Sequence, residues 1–177
     1  MHERSSAGRA LAVADGQLSP NELHEIASHL AGQEDLWRPQ VRHDPEKRWR
    51  TQLLWSPQVE IWLVGWDAGQ GVDLHDHGGA SGAFSVCEGA VEVRHGGADA
   101  RQRLRTVHRS ETVTFGSEDV HEVVNRSASP ATTIHAYSPA LTAMAFYETV
   151  DGALVATRRE AVGAPEPTVV ATPSACF

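Results

Sequence analysis

Gly69-Gln70-Gly71-Val72-Asp73-Leu74-His75-Asp76-His77-Gly78-Gly79-Ala80-Ser81-Gly82 is the stretch on which the reading of this chain turns. It follows an apolar run, Ile61 to Trp66, that reads as a buried strand. Side chains two apart on a strand share a face. His75 and His77 are therefore expected to project together, with Asp76 turned away. Two neighbouring imidazoles are well placed to share a divalent metal. The competing reading of a bare His-x-His is two surface histidines beside a loop.

Around this stretch, from Arg48 onward, the chain is a series of short β-type runs. They are Leu53-Leu54-Trp55, Val59 to Trp66, Ala83 to Val93, Thr106-Val107, Thr112 to Phe115, Val120 to Val124, Ala131 to Tyr137 and Ala143 to Val150. Gly, Pro, Asn, Asp and Ser separate them. Asp151-Gly152 is a two-residue hairpin signal between Ala143–Val150 and Ala153–Thr157. Strands this short and this closely spaced predict a mostly β fold, a sandwich or small barrel.

Ahead of the barrel, residues 1–47 read as a tail and helices packed upon it. Residues 1–18 form a loose tail or a short helix, Ala7 to Val13. Ser19-Pro20-Asn21-Glu22 is a helix start: Ser19 caps, Pro20 suits the first helical position, and Glu22 completes a capping box. Leu23, Ile26 and Leu30 fall on one face, leaving His24 and His29 solvated. A second helical or irregular segment carries Leu36-Trp37-Arg38-Pro39, and Pro39 and Pro45 punctuate a connector holding His43. The barrel is expected over 48–162, with 163–177 as a surface tail.

Composition narrows the function. The net charge of −8 argues against nucleic acid and anionic membrane surfaces as partners. No run of 18 apolar residues exists, so no transmembrane helix is expected, and no signal peptide is read at the start. Cys87 and Cys176 are far apart, so a disulfide framework is not expected and a cytoplasmic location is. Ten histidines in 177 residues sharpen the search for a third metal ligand. His121 is the candidate, opening a β-type run some forty residues after His77. His95 is placed in a Gly-rich turn, and His108 lies between arginines.

These residues carry a family resemblance. Gly69, His75, His77 and Gly89 resemble the first cupin motif, and His121 to Asn125 resemble the His-x3-Asn of the second. The glutamate of the first motif falls on Gly82, and the Pro-x-Gly of the second is absent. Such a departure is similar to thiol dioxygenases of the cysteine dioxygenase type. His75-Asp76-His77 resembles their HDH segment, and Thr133-Ile134-His135-Ala136-Tyr137-Ser138-Pro139 resembles their Ser-x-His-x-Tyr-Ser-Pro. The resemblance covers roughly residues 48 to 147.

It implies a small jelly-roll cupin barrel with His75, His77 and His121 as metal ligands. Fe(II) is the expected cofactor, although three imidazoles also suit Ni(II) or another divalent metal. It implies a small thiol and O2 as partners, with L-cysteine or a close analogue oxidised to a sulfinate. Strand alternation puts Thr133, His135 and Tyr137 on one face. Tyr137 would then serve catalysis, held by His135, itself held by Thr133. Some family members carry a cysteine cross-linked to this tyrosine; its place here is Gly82, so no cross-link is expected there. Cys87 reads as a small core residue.

For the substrate carboxylate the sequence offers Arg50, Gln52 and Arg48. Gln52 resembles the branch acting on 3-mercaptopropionate, whereas arginine offers a charged bidentate grip. Trp62 and Trp66 share a face and are expected in the core. Other readings stay open: a cupin metalloenzyme that oxidatively rearranges cysteine, a non-catalytic metal- or ligand-binding cupin, or a Zn or Ni isomerase-like cupin. The chain is expected as a monomer or homodimer.

Overall fold

A computed structural model describes residues 16–96 and 103–162. The expected helix Ala7 to Val13, Cys176 and the C-terminal tail lie outside the described residues.

Ser19 and Glu22 start the first helix, α1 (Pro20–Gly32). The Glu22 amide donates to Ser19 Oγ at 3.3 Å, and the Ser19 amide donates to Glu22 Oε2 at 2.8 Å. These reciprocal bonds satisfy donors that a helix start leaves orphaned. One turn, α2 (Glu34–Trp37), follows.

The rest is strand. In chain order these are β1 (Trp49–Trp55), β2 (Glu60–Trp66), β3 (Gly71–His75), β4 (Ser81–Glu88), β5 (Ala90–Gly96), β6 (Arg103–His108), β7 (Thr112–Phe115), β8 (Val120–Val124), β9 (Ala131–Ser138), β10 (Ala143–Val150) and β11 (Ala153–Ala161). They pair into a five-stranded sheet, β1-β2-β9-β4-β7, and a six-stranded sheet, β11-β10-β3-β8-β5-β6. The Asp151-Gly152 turn joins β10 to β11 with φ of 50° and 80°, the left-handed backbone that a tight hairpin requires. The expected run Ala83 to Val93 is two strands, broken at Gly89. There φ is +70°, and a Cβ would meet the Pro130 carbonyl at 2.6 Å.

Alternation divides each central strand between two cores. Along β2, Ile61 and Leu63 face Leu23, Ala27 and Trp37 of the helical layer. The next residues over, Val64 and Trp66, join the core between the sheets. β9 divides likewise, with Ile134 and Ala136 turned toward the helices. This double cover explains why every residue of β9 is buried. Among the described residues, no helix is long and apolar enough to cross a membrane.

Two placements differ from expectation. His95 lies on β5, directly opposite His121, because the strand runs on through Gly96. His77 lies beyond β3, which ends at His75.

Leu23 is fully buried where α1 meets the five-stranded sheet. Leu23→Ala should cost about 2–5 kcal/mol, read as a lower urea midpoint, with the far-UV strand signal kept below that midpoint.

Candidate metal centre

Pairing of β3 with β8 sets His75 directly against His121. His77 follows in the loop, so its position depends on how that loop is tied. Asp76 supplies the tie. Its amide donates to the Ala145 carbonyl at 2.9 Å, and its Oδ1 accepts from the amides of Gly78 and Ala145, both at 3.0 Å. The Tyr147 hydroxyl donates to Asp76 Oδ2 at 2.7 Å. Asp76 thus turns away, as alternation requires, and staples the loop to β10.

The three rings meet with centroids 4.9 Å (His75–His77), 4.7 Å (His75–His121) and 4.8 Å (His77–His121) apart. One nitrogen of each lies within 4.8 Å of the others. His75 Nδ1 donates to the Asp73 carbonyl at 2.7 Å, which fixes the tautomer and leaves Nε2 as the lone-pair nitrogen. His77 Nδ1 and Nε2 and His121 Nδ1 have no partner among the described residues. Burial pushes the His75 pKa down to about 4 and those of His77 and His121 well below the usual range. Phe115 stacks on His77 at 4.4 Å and meets His121 edge-on at 4.6 Å. Three neutral imidazoles with inward lone pairs and orphaned buried nitrogens fit a divalent metal.

Thr133, His135 and Tyr137 form a chain beside these rings. Trp66 Nε1 donates to Thr133 Oγ1 at 2.8 Å, Thr133 Oγ1 meets His135 Nε2 at 2.8 Å, and His135 Nδ1 meets the Tyr137 oxygen at 3.1 Å. Indole only donates. Among the described residues, the sole acceptor bonded to the Thr133 hydroxyl is therefore His135 Nε2. In the tautomer that satisfies the fully buried Thr133 O–H, that proton goes to His135 Nε2, His135 carries its own proton on Nδ1, and that N–H donates to Tyr137. Burial holds His135 neutral, its pKa down to about 3, and raises that of the Tyr137 phenol. Tyr137 keeps its proton, with the hydroxyl oxygen accepting from His135 and the O–H free to donate.

Both groups open on one cleft of about 750 Å³, solvent at its mouth included. Its walls include His75, His121, Tyr137, Arg48 and Arg50. Trp66, in the core as expected, and Trp62, packed against that core, each also present a ring to the cleft, where they carry the arginines. The Arg50 guanidinium lies 5.2 Å from the Trp62 ring centre and the Arg48 guanidinium 5.1 Å from that of Trp66. Arg48 also donates Nη1 to the Gly71 carbonyl at 2.9 Å. Gln52 is not in the lining; its Nε2 donates to Glu60 Oε2 at 3.2 Å.

Glu60 was not singled out in the sequence. It is 2% exposed, Oε1 has no partner among the described residues, and burial raises its pKa. Its one sequence signal is a carboxylate inside an otherwise apolar run. Gly82 lies directly across from Tyr137 in the β4–β9 ladder. Cys87 is a buried thiol whose pKa burial pushes up to about 12.

A family model described as cysteine dioxygenase type I matches residues 11–150. No curated protein matches the chain. Among solved structures, the chain is similar to TT1209 from Thermus thermophilus, at 25% identity and TM-score 0.52, over 58% of this chain and 92% of that one. A cupin superfamily protein from Desulfitobacterium hafniense matches at 10% identity and TM-score 0.50, over 58% and 86%. A double-stranded β-helix protein from Klebsiella pneumoniae matches at 13% identity and TM-score 0.51, over 82% and 99%. The fold is therefore a cupin barrel with an N-terminal helix.

Neutral burial of histidine sets the sign of a pH effect. An unfolded histidine takes up its proton near pH 6.5, whereas His75 and His135 resist down to about 4 and about 3. Their contribution to stability is full above the unfolded value and is lost as pH falls below it. For metal-free protein, urea unfolding free energy should fall between pH 6 and 4 by about 1.4 kcal/mol per pH unit for each such histidine. His135→Phe should remove one histidine's share of that slope; an unchanged slope would contradict the assignment.

Proposed function

This chain belongs to the cysteine dioxygenase type I family, and on that premise we propose that it is an Fe(II)-dependent thiol dioxygenase. The substrate is L-cysteine or a close small thiol bearing a carboxylate. In the overall reaction, RSH + O2 gives RSO2H: both oxygen atoms join sulfur, which supplies all four electrons.

One observation carries this reading. Three buried, neutral imidazoles converge with no carboxylate in the set, beside a cleft that also holds a protonated tyrosine and an arginine. The ligands proposed are His75, His77 and His121. Iron held there would supply a full +2 charge for a thiolate and a place for O2 to react, since none of its charge is cancelled by a ligand.

The remaining residues bind and orient. Arg48 is the proposed carboxylate clamp, because it is bonded to Gly71 of β3, the strand that carries His75, and lies over Trp66, whose indole donates to Thr133. Its Nη1 is spent on Gly71, which leaves donors of the fork for a carboxylate. Tyr137 is proposed as a catalytic hydrogen-bond donor to the substrate; with its pKa raised it cannot serve as a base near neutral pH. His135 and Thr133 are positioning residues that aim its hydroxyl. Gln52 has its amide engaged with Glu60 and is left out of the carboxylate site.

Oxygen uptake by Fe(II)-loaded protein, with mass spectrometry of the product, tests this. L-Cysteine and 3-mercaptopropionate should each be consumed and gain two oxygens. Cysteamine, which lacks the carboxylate, should react about tenfold or more slowly. No uptake with any thiol in protein carrying stoichiometric metal would leave a binding cupin, and a cysteine product other than the sulfinate would favour oxidative rearrangement. Tyr137→Phe should lower kcat on the order of 10- to 100-fold with metal content unchanged. Full turnover would remove the role given to the hydroxyl.

A further inference from the structure

A thiol with a single carboxylate needs one guanidinium, and this cleft has two. Arg48 and Arg50 both line it. Neither forms an ion pair among the described residues, whereas Arg158 on β11 pairs with both Asp73 and Glu160. Each of the two lies over its own tryptophan, so their places are built rather than incidental. Burial first, and then the charge of Arg50, disfavour the protonated Arg48 guanidinium, a cost that an arriving anion relieves.

The acidic groups nearby do not serve as those anions. Glu160, from β11, lines the cleft, but its Oε1 accepts from Arg158 Nε at 2.9 Å. Glu60 accepts from Gln52 and forms no ion pair with Arg50 among the described residues, although the Arg50 charge acts on it. The two guanidiniums also differ in place. Arg48 lies over Trp66 and donates to Gly71 at the start of β3, the strand that ends in His75, whereas Arg50 lies over Trp62; both charges act on Tyr137, but only that of Arg48 acts on His75 and His135.

We infer that the cleft contains a second anion subsite, in which Arg50 on Trp62 receives a second acidic group of a thiol whose first carboxylate is held by Arg48. The substrate class is a small thiol bearing two acidic groups; cysteine fills only the inner half. This rests on the thiol dioxygenase reading for the sulfur alone, since the anion subsite stands on the arginines and their tryptophans.

Calorimetric titration of full-length, metal-loaded protein under anaerobic conditions tests it without turnover. Succinate, propionate and β-alanine each offer one carboxylate to the inner end, so differences report the outer group. Succinate should bind about tenfold or more tightly than propionate, as a second charge-assisted contact predicts. Arg50→Gln should reduce that preference to about twofold or less with propionate affinity unchanged, and Arg48→Gln should weaken both ligands. Equal binding of succinate and propionate, or a preference that survives Arg50→Gln, would overturn the subsite. Tightest binding of β-alanine would overturn it in favour of an ammonium site at Glu160. Oxidation of 3-mercaptopropionate together with equal binding keeps the dioxygenase and removes the subsite. A succinate preference lost in Arg50→Gln, in protein without thiol-dependent oxygen uptake, keeps the subsite and removes the dioxygenase.

Discussion

Three imidazoles packed against one another inside an apolar wall set the terms for the rest of this molecule. A buried polar nitrogen without a partner costs on the order of 1–3 kcal/mol, and three such atoms are found here on His77 and His121. Charging the rings would be worse, so desolvation keeps them neutral, and neutrality is what leaves lone pairs to converge. Holding them in place takes contributions from separate parts of the chain. The β3–β8 ladder fixes His75 against His121, the Asp76 staple fixes the loop that carries His77, and Phe115 closes the far side.

β9 shows how one strand can serve this centre and the fold at once. Its inward residues Thr133, His135 and Tyr137 make the hydrogen-bond chain, while Ile134 and Ala136 pack under the helices. Without the helical layer the outer face of β9 would be wet and the strand freer to shift. A one-residue slip would turn the whole chain of donors away from the cleft. The N-terminal helices therefore help to hold this inward face in register.

Much of this was legible in the sequence because it follows local rules. The capping box at Ser19, the Asp151-Gly152 turn and the alternation of Thr133, His135 and Tyr137 each depend on neighbours a few residues away. What local rules miss are choices made across sheets. Trp62 and Trp66 read as core because large aromatics usually are; only the register of β1 on β2 reveals arginines lying over them. Glu60 looks like a surface charge until β2 is seen to be the second strand in from an edge, with β1 covering it on one side and β9 on the other. Gln52 resembles a carboxylate ligand by position, and in the structure its amide nitrogen donates to that same Glu60. His95 reads as a turn residue because Gly96 and Gly97 follow it, and it stands opposite His121 because β5 runs on through Gly96.

Gly82 joins the sequence reading to the chemistry. It occupies the place where some family members carry a cysteine bonded to the tyrosine, and the ladder does set it beside Tyr137. A Cβ there would lie 2.3 Å from the Phe115 ring, so Phe115 occupies the space that a side chain would need. Phe115 in turn stacks on His77. Restoring a side chain at position 82 would thus press on a ring that braces one of the three histidines. Without such a tether, Tyr137 is held through its oxygen by His135, which Thr133 holds in turn, at the wall of the cleft.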